Sequence, residues 1–226
     1  MSEDHIPEAV LFCWSGGKDS AMALHALRST RAHRVTALLT TITEEFNRVS
    51  MHGVRRVLLE RQAESIGLPL HAVLIPPECV NAIYEQRMRE ALEEHFAGGV
   101  RRIAFGDIFL EDLRMYREQN LAQIGMQALF PIWKRDSREL ARDFLRLGFQ
   151  AITVCVDPGV LDPSFVGRAL DESFFADLPP GVDPCGENGE FHTFVFDGPV
   201  FRTPVRFIPG EKVLREGFYF CDLLPA

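Results

Sequence analysis

The stretch Leu11-Phe-Cys-Trp-Ser15-Gly16-Gly17-Lys18-Asp19-Ser20 constrains this chain more than any other. An apolar run ends in two adjacent glycines, a lysine and two serines, and an Ala/Leu/Met segment of helical character follows. A strand that turns through glycines into a helix presents backbone N–H groups to an anion. The helix start adds roughly half a positive charge. Lys18 adds a point charge, Ser15 and Ser20 add hydroxyl donors, and Asp19 is a candidate to hold a magnesium ion or orient the loop. The glycines are adjacent and an acid follows the lysine, so this is neither the G-x-x-x-x-G-K-[ST] loop nor the G-x-G-x-x-G dinucleotide fingerprint. The structural alternative is a surface turn with a capped helix, Asp19 or Ser20 being the cap.

The periodicity behind this loop predicts alternating strands and helices. Strands are expected over 9–14, 35–42, 70–75, 102–105 and 129–133. Helices are expected over 20–29, 52–66, 79–96, 113–124 and 136–147, three of them closing at glycine. This order predicts a three-layer α/β/α parallel-sheet domain of Rossmann-like type, with ligands collecting beyond the carboxyl ends of its strands. From Asp157 prolines and glycines multiply, and strand-like runs follow at 190–197, 200–207, 212–214 and 217–223. A smaller C-terminal α+β domain is therefore expected. The division is placed at residues 1–134 and 135–226, inside a boundary zone of 130–157.

Net charge is −8, and the 24 basic residues include only three lysines. Without a basic face to displace counterions, nucleic acid is not the expected partner. The five cysteines are scattered with no C-x-x-C pair, which indicates reduced thiols rather than a disulfide framework. The acidic, polar N-terminus lacks the pattern of a signal peptide, and no apolar run reaches membrane-spanning length. A cytoplasmic location is the expectation.

A second cluster lies at Asp183–Phe201, "DPCGENGEFHTFVFDGPVF". It places Cys185, Glu187, Asn188, Glu190, His192 and Thr193 within nine residues. Two carboxylates at a strand start can bind an ammonium, a metal ion or a hydroxyl, or act as a general base. The structural alternative is a hairpin with a polar rim. A zinc site from Cys185 and His192 lacks the further ligands it needs.

"SGGKDS" resembles the PP-loop of the N-type ATP pyrophosphatases, in which the loop holds the β,γ-pyrophosphate of ATP and cleavage falls between the α and β phosphates. Together with "CGENGEFHTFVFDGP" it is similar to the diphthine–ammonia ligase-like branch of that superfamily. Supporting stretches are "SMHGV" at 50–54, "AESIGLPL" at 63–70, "FGDIFLEDLRMYRE" at 105–118 and "LFPIW" at 129–133. Phe191 and His192 stand where those ligases tend to carry a tyrosine and an acid, which is closer to bacterial members.

The resemblance implies an ATP-dependent, AMP-forming carbon–nitrogen ligase using ATP and Mg2+. It adenylates a small-molecule or protein carboxylate, then transfers it to ammonia or an amine. The implied nucleotide site is Ser15, Gly16, Gly17, Lys18, Asp19, Ser20, Thr40, Thr41, His52 and Gly106. The implied substrate site is Asp107, Arg114, Glu187, Asn188, Glu190, His192 and Thr193. Lys18, Asp19, Glu187 and Glu190 are the candidate catalytic groups. For Asp107 the structural alternative is a helix cap; for Arg114, three residues before Arg117, it is a solvated face. A tRNA-modifying PP-loop enzyme and a nucleotide sensor without turnover are the alternative functions, and a homo-oligomer is compatible with any of these.

Overall fold

The computed structural model describes residues 7–226; most of the polar N-terminus read above for a signal lies outside them. Strand β1 (Glu8–Cys13) sits at the centre of a sheet in the order β4-β2-β1-β5-β6, all parallel. Its partners are β2 (His33–Thr43), β4 (Leu70–Ile75), β5 (Arg102–Ala104) and β6 (Gln127–Leu129). A two-residue strand β3 (Arg48–Val49) adds antiparallel to the end of β2. Val10, Leu11 and Phe12 of β1 are fully buried, as expected of a parallel strand covered on both faces. Val10 and Phe12 face the core built with α1 (Lys18–Ser29) and α2 (Arg56–Ile66). Leu11 faces the opposite core, built with α3 (Asn81–Ala97) and α4 (Glu111–Ala122). The three-layer α/β/α expectation therefore holds.

The strand order reverses direction between β1 and β5, and ligands of open α/β sheets bind at such a point. The glycine loop leaves β1 there, and Gly106-Asp107 leaves β5 beside it.

After α5 (Ser137–Arg146), capped by the Asp136 side chain, the chain builds a second sheet in the order β8-β7-β10-β9, wholly antiparallel. Its strands are β7 (Gln150–Val156), β8 (Phe191–Asp197), β9 (Phe207–Arg215) and β10 (Phe218–Pro225), with a short helix α6 (Glu172–Asp177) between β7 and β8. This sheet shares a core with the α1/α2 face of the first, through residues such as Val154, Phe194 and Val195.

Three expectations need correction, and one strand went unread. The strand at 129–133 is instead 127–129; Pro131 lacks an N–H, and 130–133 turns through the Trp133 N–H to Phe130 C=O bond. Of the run 200–207 only Phe207, the first residue of β9, lies in a sheet strand. The rest packs along β8 and α2 through Val205 N–H to Phe196 C=O and Arg202 N–H to Ser65 C=O. The helix expected from 52 begins at Arg56, because 50–55 closes a turn with Gly53 at φ +68°. The strand β7, apolar apart from Gln150 and Thr153, fell inside the boundary zone and was not anticipated. Among the described residues no helix is long and apolar enough to cross a membrane.

Candidate active site

Gly16 adopts φ +81°, a conformation open to glycine, and this reverses the chain between β1 and α1. Gly17 is the N-cap of α1 and offers no side-chain cap, so neither Asp19 nor Ser20 plays that part. The loop is braced internally: Gly17 N–H donates to Ser15 Oγ at 3.2 Å, Ser15 and Ser20 hydroxyls pair at 3.1 Å, and Ser20 Oγ donates to Gly17 C=O at 2.9 Å. Gly106 packs its bare Cα onto the first turn of α1. A Cβ there would stand 2.9 Å from Ser20 N and 3.0 Å from the Asp19 carbonyl carbon.

The second cluster closes over this loop. Lys18 N–H donates to Thr193 Oγ1 at 3.0 Å, and Val195 N–H donates to Gly16 C=O at 2.9 Å. Lys18 Nζ, almost fully buried, bonds both Asp19 carboxylate oxygens at 2.6 and 2.8 Å and the Cys185 carbonyl. The Lys18 side chain thus grips the second cluster as well as neutralising Asp19. Burial works against the ammonium, but the Asp19 carboxylate and the neighbouring groups of the second cluster together outweigh it, and Lys18 stays protonated.

Between the two clusters lies a cavity of about 370 Å3. Its walls carry Ser15, Gly17, Lys18, Asp19, Ser20, Thr40, Thr41, His52, Gly106, Asp107, Glu187, His192 and Thr193, so most of the expected site residues converge. The pairing of β7 with β8 shifts register between Thr153 and Cys155, opposite Thr193 and His192, and both of these consecutive residues line the cavity.

Glu187 receives the Ile108 N–H at 2.7 Å, which pins it to the loop after β5. Burial pushes its carboxyl up to about 7, against the pull of that N–H. His52 and His192 face each other with ring centroids 4.6 Å apart. Burial pushes His52 down to about 3, helped by His192, and pushes His192 down to about 4, helped by the Lys18 charge. Both imidazoles are neutral. Burial also pushes the Cys185 thiol up to about 12, and that thiol donates to Ser137 C=O at 3.5 Å, so it is inert packing.

Four expected residues do not line the cavity. Glu190 is buried and turned into its own loop, accepting Asp183 N–H and Asn188 N–H and Nδ2 at 2.9–3.1 Å; it shapes the 183–190 turn and consumes Asn188 in doing so. Arg114 pairs with Glu118 and lies over Phe130 and Trp133. Gly16 turns its carbonyl away from the cavity. Asp107 does line it, yet both its oxygens accept from Arg117, at 2.6 and 3.1 Å, so it is no helix cap.

Arg117, weighed with Arg114 as a partner for an anionic substrate, lines the wall where Arg114 does not; Tyr84, Met88 and Trp14 join it unforeseen. The largest omission is Gln62, fully buried on α2. Its amide donates to Gly16 C=O at 3.0 Å and Val195 C=O at 2.6 Å, while its oxygen accepts Trp14 Nε1–H at 2.8 Å. The signal was present: a glutamine inside the apolar stripe Leu58, Leu59, Ala63, Ile66 must find partners.

Among the described residues no group of three or more His, Cys, Asp or Glu side chains is arranged to hold a metal ion. An ion needing a closed protein cage does not fit. Magnesium, which keeps waters and takes one or two carboxylates plus phosphate oxygens, needs no such cage; Asp19 is the carboxylate of the glycine loop, and both its oxygens accept from Lys18 Nζ.

A glycine loop at the reversal point of a parallel sheet, aimed into a cavity with Thr40, Thr41 and Gly106 on its wall, defines an α/β nucleotide-binding protein of the PP-loop superfamily. Residues 8–128 match the diphthamide synthase N-terminal domain and residues 136–223 match the diphthamide synthase C-terminal domain; the chain belongs to this family. It is 27% identical to the diphthine–ammonia ligase of Danio rerio over 92% of this chain and 90% of that one. The human diphthine–ammonia ligase is 26% identical over 92% and 86%, respectively. The Schizosaccharomyces pombe ligase is 26% identical over 95% of this chain but 38% of its own length.

Proposed function

We propose that this chain is an ATP-dependent, AMP-forming ligase that joins a carboxylate to ammonia or an amine. The observation that carries this reading is the seam between the glycine loop and the second cluster. It sets a phosphate cradle and a perturbed carboxylate, Glu187, on facing walls of one cavity. Family membership and the diphthine–ammonia ligase names of the relatives support the same class.

In this mechanism Ser15, Gly17, Lys18 and Ser20 hold the β and γ phosphates, and Thr40, Thr41 and His52 flank the nucleoside. A carboxylate oxygen of the acceptor attacks the α phosphorus, the α–β bridging bond breaks, and pyrophosphate leaves with the electron pair. The loop donors stabilise that departing charge. Ammonia then attacks the acyl carbon, AMP departs, and an amide remains with one proton to remove. Glu187, poised near neutrality by burial and within the cavity, accepts that proton. His192 and Thr193 position the acceptor. Asp19 would hold a magnesium ion, which supplies charge neutralisation on the phosphates. Residues 135–226 act as the acceptor-binding unit closing on the nucleotide unit. Incubation with ATP labelled on the α phosphate tests the reading: labelled AMP and free pyrophosphate are expected, and ADP with phosphate refutes it.

A further inference from the structure

We infer that Gln62 is a positioning residue for the phosphate loop and ties the loop's geometry to the second domain. Its side chain has no donor to spare: both amide protons go to carbonyls, Gly16 and Val195, and its oxygen takes the Trp14 indole. Gly16 C=O is held from two sides, by Gln62 Nε2 at 3.0 Å and by Val195 N–H at 2.9 Å. Glycine at position 16 is required twice over, by φ +81° and because a Cβ would sit 2.8 Å from Gln62 Oε1.

The consequence lies on the other side of the same peptide. In a trans peptide the C=O and the following N–H point opposite ways. Fixing Gly16 C=O inward therefore turns Gly17 N–H outward, to the Ser15 hydroxyl, and Ser15 in turn meets Ser20. Those three residues are the polar face of the loop toward the cavity. Gln62 does not touch the cavity; it acts through Gly16. Because the same amide also holds Val195 C=O on β8, movement of the second domain and rotation of the loop peptide are coupled through this side chain as well as through the direct Val195 N–H to Gly16 C=O bond.

The inference rests on the loop binding phosphates, as proposed above, and its test separates the two. Binding of α,β-methylene-ATP is measured by calorimetry alongside AMP release from ATP and thermal melting. The variants are Gln62→Met, which keeps the volume and loses both donors, and Gln62→Glu, which keeps the acceptor for Trp14 and faces two carbonyl oxygens with a carboxylate. Leu58→Val, fully buried on the same helix and not lining the cavity, is the matched control for destabilisation. Both Gln62 variants are expected to weaken nucleotide binding about tenfold, the size of one lost buried hydrogen bond, and to slow AMP release. Leu58→Val is expected to lower the melting temperature alone. A Gln62→Met protein that melts early but binds and turns over as wild type overturns the inference. If Gln62→Glu does not fold, Gln62→Met decides. Wild type that binds the analogue but releases no AMP refutes the ligase reading and leaves the Gln62 result standing on affinity.

Discussion

The Thr193 hydroxyl accepts the backbone N–H of Lys18 at 3.0 Å across 175 positions of sequence. It takes one of the amides that a helix start leaves unpaired, and by doing so it fixes the second domain to the phosphate loop. Replacing Thr193 with Val removes that acceptor without changing volume much. A loss of about 1 kcal/mol in stability is expected, with a several-fold rise in KM for ATP; Thr193→Ser should restore both. Chemical denaturation and steady-state kinetics check it.

Lys18→Met tests the grip on the second cluster. It leaves Asp19 without its partner and frees the Cys185 carbonyl. Asp19 is 30% exposed, so water offsets part of the cost, and about 1–3 kcal/mol of destabilisation is expected. AMP release should fall much further than stability alone explains, as single-turnover measurement at a temperature well below melting will show.

Gly106→Ala brings a methyl group against backbone atoms of the first turn of α1, which have no rotamer to escape into. Overpacking of about 1–3 kcal/mol is expected, together with weaker nucleotide binding as the helix start shifts. Calorimetric binding of ATP reads the second effect directly.

The buried imidazoles predict the acid limb of stability. His52 and His192 have folded values of about 3 and 4 against 6.5 when exposed. The unfolded chain therefore binds more protons between those limits. Their contribution is complete above about pH 6.5 and is lost as pH falls toward 4. Glu187 works in the opposite sense, its folded value of about 7 against 4.5 favouring the fold as pH falls through that window. The two histidines outweigh the one carboxyl. Melting temperature measured from pH 7.5 down to 4 should fall, and His192→Asn should flatten the slope.

Glu187 also sets the expected rate profile. A proton acceptor titrating near 7 gives amide formation that rises through neutrality and levels above it. Glu187→Gln should lower the plateau and abolish the inflection while leaving nucleotide affinity within about twofold, since the residue is held by Ile108 N–H and not by the loop.

The amino-acid order by itself determined the layered parallel-sheet domain and its loop. Strand and helix periods, glycine stops and the SGGKDS turn are local patterns, and local geometry follows from them. It also marked the segment that carries Glu187, His192 and Thr193, because polar residues crowded around glycines at a strand start stand out in any sequence. Which of the crowded residues face the cavity was decided by tertiary structure. Glu190 and Glu187 are chemically alike, but the turn folds one carboxylate onto its own amides and sends the other to Ile108. Arg114 and Arg117 sit one turn apart on α4, and only Arg117 reaches Asp107. The register shift between β7 and β8 depends on the pairing of two strands, and the place of Gln62 depends on three elements meeting around one amide. Such relationships arise from the approach of segments far apart in the chain, so no window of sequence contains them.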